Sequence, residues 1–150
     1  MSNLSQSELT FPSDLDPRFT VAIIFPESDK YSMVSPLFSI MGAAFLLHDR
    51  NIIVVDGEVV ESDWFTLDHL LVIQAHEIGH QIANHTSLSS HNKNLEEEKE
   101  ADWLGYHLLL HKGFETAANI HREEYISRYQ CEPRDDFVSI PKDFFKNWCK

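Results

Sequence analysis

The stretch Gln74–His80, QAHEIGH, holds two histidines four positions apart with a glutamate directly after the first, the spacing H-E-x-x-H. On a helix, residues i and i+4 project from one face a turn apart. The imidazoles of His76 and His80 can therefore reach a single ion at roughly 2.0–2.1 Å. Glu77 lies about 100° around the helix from His76, beside the ion rather than on it, where a carboxylate can take a proton from an activated water. One zinc ion and a hydrolytic reaction suit this set of groups. Chance alone places the pattern in about one chain in twenty of this composition, so the surrounding sequence has to decide.

On a helical wheel Ile73, His76, His80 and Asn84 share one side, while Leu71, Ala75, Ile78 and Ile82 form an apolar stripe on the other. A buried helix with incidental histidines explains the stripe but not two histidines and a glutamate opposite it. A catalytic zinc site takes three protein ligands, and the run Asn94–Lys112 offers the third. With Glu98 as origin, Leu95, Ala101, Asp102, Gly105, Leu108 and Leu109 all lie within about 80°. Glu98 and Asp102 are thus the inward acids of a second helix. Glu98 is expected to ligate the metal, with Glu100 next in line. Asp102 is expected to hydrogen-bond the free nitrogen of a zinc-bound histidine. Glu96, Glu97 and Glu100 read as a solvated acidic helix start. Gly105 and Ala101 would let the two helices approach closely.

These helices need a scaffold. Residues 1–16 are polar and aperiodic and read as a flexible leader, leaving 17–150 as one domain. Phe19–Phe25 reads as a strand. Ala43–His48 and Asn51–Val55 read as a hairpin, and Asp56-Gly57 as a further turn. Lys30–Gly42 leaves its type open. Thr66 caps the histidine helix, which runs to about Ala83, and Asp68 suits its first turn. Thr86–Asn94 is a polar loop and Asn94 caps the next helix, which ends at Lys112-Gly113. A third helix is expected over Glu115–Tyr129 and a short last one over Lys142–Cys149. The fold class is α+β: a small N-terminal sheet with a hairpin, an active-site helix, a glutamate helix and C-terminal helices.

The formal charge of −12 repels phosphate backbones and anionic membranes, which argues against nucleic acid as a partner. Cys131 and Cys149 fit neither a zinc pairing nor a disulfide framework. No stretch is apolar enough to span a membrane and no signal peptide is visible, so the expected location is the cytoplasm. Oligomeric state is not encoded in any feature of the chain.

With its inward acids the chain resembles the gluzincin zinc metallopeptidases, in which H-E-x-x-H is followed by a glutamate ligand on a later helix. HEIGHQIANH, His76–His85, looks like the active-site helix of the CAAX prenyl endopeptidase and HtpX family. EKEADWLGYHLLLHKGF, Glu98–Phe114, is similar to that family's E-x-x-A-D-x-x-G helix. The resemblance implies a zincin-like fold, zinc on His76, His80 and Glu98, Glu77 as general base, Asp102 behind a ligand, and a protein or peptide substrate. Membrane members of that family carry transmembrane helices, which this chain lacks. Its seventeen residues between His80 and Glu98 are closer to the soluble minigluzincins. A looser similarity runs to the ImmA/IrrE peptidases, which cleave regulatory proteins, through NIIVVDGEVV and FTLDHLLVIQAHEIGH. Their glutamate helix reads E-x-x-A-N, where this chain has Asp102.

Relatives of this kind add a His or Tyr that stabilises the oxyanion, for which Tyr106, His121, Tyr125 and Tyr129 are all candidates. His85 lies about 140° from His80 and should not touch zinc. His48, His69, His91, His107 and His111 take no role. Asn51–Val55 is expected to form a sheet edge above the cleft that pairs with an extended substrate. Two rivals remain: a metal-binding regulatory protein, which an intact Glu77 disfavours, and a zinc hydrolase acting on a non-peptide amide.

Overall fold

The computed structural model describes residues 7–83 and 95–133. Its elements are β1 (Glu8–Pro12), β2 (Thr20–Ile24), α1 (Tyr31–Met41), β3 (Ala44–Leu47), β4 (Ile52–Asp56), α2 (Gly57–Val60), α3 (Leu67–Ile82), α4 (Leu95–Lys112) and α5 (Glu115–Tyr129). The strands form one sheet in the order β1-β2-β4-β3. The β2–β4 pair is parallel and the two outer pairs are antiparallel. The arrangement is α+β, as the sequence leads one to expect.

Strands β2 and β4 are apolar on both faces because both faces are covered. Val21, Ile23, Ile53 and Val55 point into a core shared with α3, α4 and α5. Ile24 and Val54 point the other way, onto Phe38 of α1 and Phe45 of β3. The segment Lys30–Gly42, ambiguous in sequence, is thus the helix that closes the second face. It carries Pro36 inside and ends at Gly42, whose φ of 101° is open to glycine. The β3–β4 hairpin forms as expected, turning through Asn51 at φ 52°. Asp56-Gly57 opens the short helix α2 instead of a simple turn, with Asp56 accepting from the Glu58 N–H.

Two expectations fail here. Much of the expected leader is ordered: Glu8–Pro12 pairs along β2, and Leu15 and Asp16 are buried. The Ser13 hydroxyl donates to Gln74 Oε1 of α3 at 2.6 Å, and Arg18 forms an ion pair with Asp16 at 2.7 Å. A polar segment is held here by specific hydrogen bonds that leave no hydrophobic period to read. The second failure concerns the substrate edge. Asn51–Val55 lies inside the sheet, with β4 flanked by β2 and β3, so the edge on that side is β3.

Helix α3 begins where expected. Thr66 accepts from the His69 N–H, and His69 Nδ1 accepts in return from the Thr66 N–H at 3.2 Å, a capping box with histidine in place of the usual glutamate. Helix α4 ends at Gly113, φ 85°. The expected cap Asn94, the loop Thr86–Asn94 and the last helix Lys142–Cys149 lie outside the described residues, as do His85 and His91. Among the described residues no helix is long and apolar enough to cross a membrane.

Helices α3 and α4 touch backbone to backbone. A Cβ on Gly79 would stand 2.4 Å from the Ala101 carbonyl oxygen, and one on Gly105 would stand 2.9 Å from that of Ala75. Sequence reasoning had Ala101 and Gly105 in this role but not Gly79. Because a backbone carbonyl cannot swing aside as a side chain can, Gly79→Ala should lower stability by about 1–3 kcal/mol. Urea unfolding measures it, and a wild-type midpoint would show that this approach does not lock the helices.

Candidate metal centre

The close approach brings His76, His80 and Glu98 together: one ligand atom from each lies within 4.8 Å of the others. The two Nε2 atoms are 3.1 Å apart, His80 Nε2 is 2.7 Å from Glu98 Oε2, and His76 Nε2 is 3.6 Å from Glu98 Oε1. Tetrahedral ligation at roughly 2.0–2.1 Å spaces ligand atoms roughly 3.3 Å apart, so these separations bracket what one ion requires. Two imidazoles and a carboxylate, with a fourth direction open to a cavity, are also the donor set that zinc takes. Glu100, the alternative ligand, is exposed and lies away from the cluster.

Behind the cluster stands Asp102, 3% exposed on α4. His76 Nδ1 lies 2.6 Å from Asp102 Oδ1, and with an ion bound a proton held there would leave the Nε2 lone pair for the metal. The second carboxylate oxygen accepts from Arg128 Nη1 at 2.8 Å and from the Tyr129 hydroxyl at 2.5 Å, both from α5. Three helices therefore converge on one carboxylate. Burial, the largest single influence, pushes Asp102 up, but the hydrogen bond and charge of His76, with His121 and the Tyr129 hydroxyl, together outweigh it and hold the group at about 2. Burial likewise pushes Glu98 up, and hydrogen bonds from His76 and His80 take it below the usual carboxylate range. Both are carboxylates at neutral pH, as ligand and anchor must be.

Glu77 differs from these acids. It is buried, lines the cavity, and its Oε2 lies 4.0 Å from His76 Nε2. Burial pushes its carboxyl up to about 7, against the pull of His76. Its environment sets a carboxyl that titrates near neutrality apart from two acids of the same cavity lining that are charged there.

The cavity, about 450 Å³, is lined on its floor by His76, Glu77, Glu98 and Asp102 and on one wall by Ala43 and Ala44 at the start of β3. Of the four oxyanion candidates, Tyr106 and Tyr125 are core residues. Tyr129 lines the cavity but its hydroxyl is bound to Asp102. His121 also lines it, is 2% exposed, and among the described residues has no hydrogen-bond partner on either ring nitrogen, its Nε2 standing 3.9 Å from Asp102 Oδ1. Burial pushes His121 down to about 4, so its ring is neutral. His48 pairs with Gln81 of α3 at 2.9 Å, and His69 serves in the helix cap, so both take structural roles.

Sequence reasoning missed Arg128 as an anchor. The signal was present, since His121, Tyr125, Arg128 and Tyr129 fall at i, i+4, i+7 and i+8, one polar stripe on α5. Comparison with protein-family models, curated proteins and solved structures finds no match for the chain. The functional reading therefore rests on this geometry.

Metal analysis after zinc loading distinguishes ligand from bystander. Glu98→Ala should lose the ion and Glu100→Ala should keep it, and the reverse pattern would move the ligand to Glu100. Asp102→Asn should keep a site but weaken it by about 10–100-fold in chelator competition, because His76 loses the acceptor that fixes its tautomer.

Proposed function

We propose that the protein is a zinc-dependent endopeptidase of the gluzincin type, with a zincin-like domain and a protein or peptide substrate. The observation that carries this reading is the buried Glu77 carboxyl standing beside a three-ligand cluster at the floor of an open cleft. A site serving structure alone needs no such base and closes with a fourth protein ligand.

Zinc, when bound, supplies Lewis acidity, which makes a water easier to deprotonate and an amide carbonyl easier to attack. Glu77 takes the water's proton on a carboxylate oxygen and later gives it to the leaving amine. Asp102 keeps the proton of His76 on Nδ1 throughout, and Arg128 and Tyr129 keep Asp102 in place. His121, neutral and with no hydrogen bond among the described residues, offers a ring N–H to the carbonyl oxygen as it gains charge. The free edge of β3, which begins at the cleft, is placed to pair with an extended peptide.

Cleavage of a mixed protein extract tests the activity. Zinc-loaded wild type should cleave proteins in it, and Glu77→Gln should hold the ion yet cleave none. Full activity in that variant, or zinc-loaded wild type that cleaves nothing, would sink the peptidase reading. The base works as a carboxylate, so activity falls as pH drops through its pKa. Burial raises that value toward about 7, while a bound dication pulls it down. The acid limb of kcat/KM should therefore fall between the ordinary glutamate value of about 4.3 and 7. His121→Phe should lower kcat by about 10²-fold with little change in KM, if the ring stabilises only the transition state.

A further inference from the structure

The cavity lining includes residues that the hydrolytic step does not use, among them Trp64, Phe65, His69 and Glu124. Trp64 and Phe65, just ahead of the Thr66 cap, meet His69 of α3 in an aromatic corner. Ring centroids lie 5.3 Å apart for Trp64–His69, 5.7 Å for Trp64–Phe65 and 5.8 Å for Phe65–His69. Trp64 is 60% exposed although it belongs to this cluster. Glu124 of α5 lines the same cavity, half-buried. Among the described residues no hydrogen bond or ion pair reaches its carboxylate. Burial pushes Glu124 up from its ordinary value, with Arg128 pulling the other way. The Arg128 guanidinium is engaged elsewhere, on Asp102.

A half-buried carboxylate with no hydrogen bond among the described residues, attracted only at a distance by Arg128 and His69, is left less satisfied when an apolar guest covers it. Away from the acids held by the histidines, an acidic guest would meet repulsion from Glu124, with Arg128 the one arginine or lysine among the described residues of the lining and already on Asp102. A cationic side chain satisfies both halves of the corner. Aromatic faces attract cations and cover aliphatic stems, and the carboxylate takes the charged head. The chain's charge of −12 favours approach of such a substrate.

We propose that Trp64, Phe65, His69 and Glu124 form a specificity pocket for a lysine or arginine side chain of the substrate. Its place in a catalytic cleft rests on the peptidase reading, but its affinity for the cation does not.

The test separates the two. Zinc-loaded Glu77→Gln protein is titrated calorimetrically with capped tetra-alanine peptides carrying Lys, Arg, norleucine or Glu at each position in turn. Lys or Arg at one position should bind at least about tenfold tighter than norleucine there. Adding Glu124→Gln should remove that preference while zinc content stays constant. Trp64→Ala, at an exposed position, should weaken the Lys and norleucine peptides together. Equal affinity for Lys and norleucine at every position, no binding of any peptide, or a preference that survives Glu124→Gln overturns the pocket. Wild-type cleavage of a protein extract without a basic residue at a fixed position overturns it too, and leaves the peptidase standing. Lys-selective binding with no cleavage keeps the pocket and removes the peptidase.

Discussion

Helices α3 and α4 cross with so little room that one methyl group at Gly79 or Gly105 would collide with the facing backbone. That separation decides where everything else can be. Side chains short enough to meet across it, two imidazoles from one helix and two carboxylates from the other, arrive at mutual distances of 2.6–3.6 Å. A wider spacing would take His76 from Asp102 and leave the buried acid with its α5 partners alone, Arg128 and Tyr129. The packing and the polar cluster therefore require one another. The glycines admit the contact, and the hydrogen bonds make it favourable to keep acids at the centre of an apolar core.

Helix α5 gives the arrangement its third side. It contributes Ala117, Ala118 and Tyr125 to the core and, from the same face, His121, Arg128 and Tyr129 to the cleft. Asp102 is where these roles join, accepting from α3 on one oxygen and from α5 on the other. The sheet stands behind this group as a platform. Its parallel β2–β4 centre is covered on both faces, and β3 starts at the cleft wall.

What the sequence disclosed follows from which signals are local. The i, i+4 spacing of His76 and His80 and the wheel position of Glu98 and Asp102 are properties of single helices, and the structure brings these four residues together. Thr66, Gly113 and the β3–β4 hairpin were likewise legible, since caps and turns are written in a few adjacent residues. Residues whose meaning depends on a distant partner were not. Gly79 reads as a mild helix weakness until Ala101 is placed against it. Ser13 and Asp16 read as polar leader because their partners are Gln74 and the adjacent Arg18 rather than an apolar period. The substrate edge was assigned to β4 because a hairpin in sequence does not say on which side a third strand pairs.

The hydrogen bond from Ser13 to Gln74 spans 61 positions and reaches α3 two residues before His76. Its consequence concerns the order of assembly. A chain made from its N-terminus releases β1 and the Ser13 turn long before the helix that satisfies them, and β2 must wait for β4 to complete the parallel pair. Helices α3, α4 and α5, by contrast, are successive in the chain and joined by local contacts. The three-helix half that carries the candidate metal centre is thus able to form from neighbouring parts of the chain, and β1, made before it, docks against it afterwards through Ser13 and Gln74.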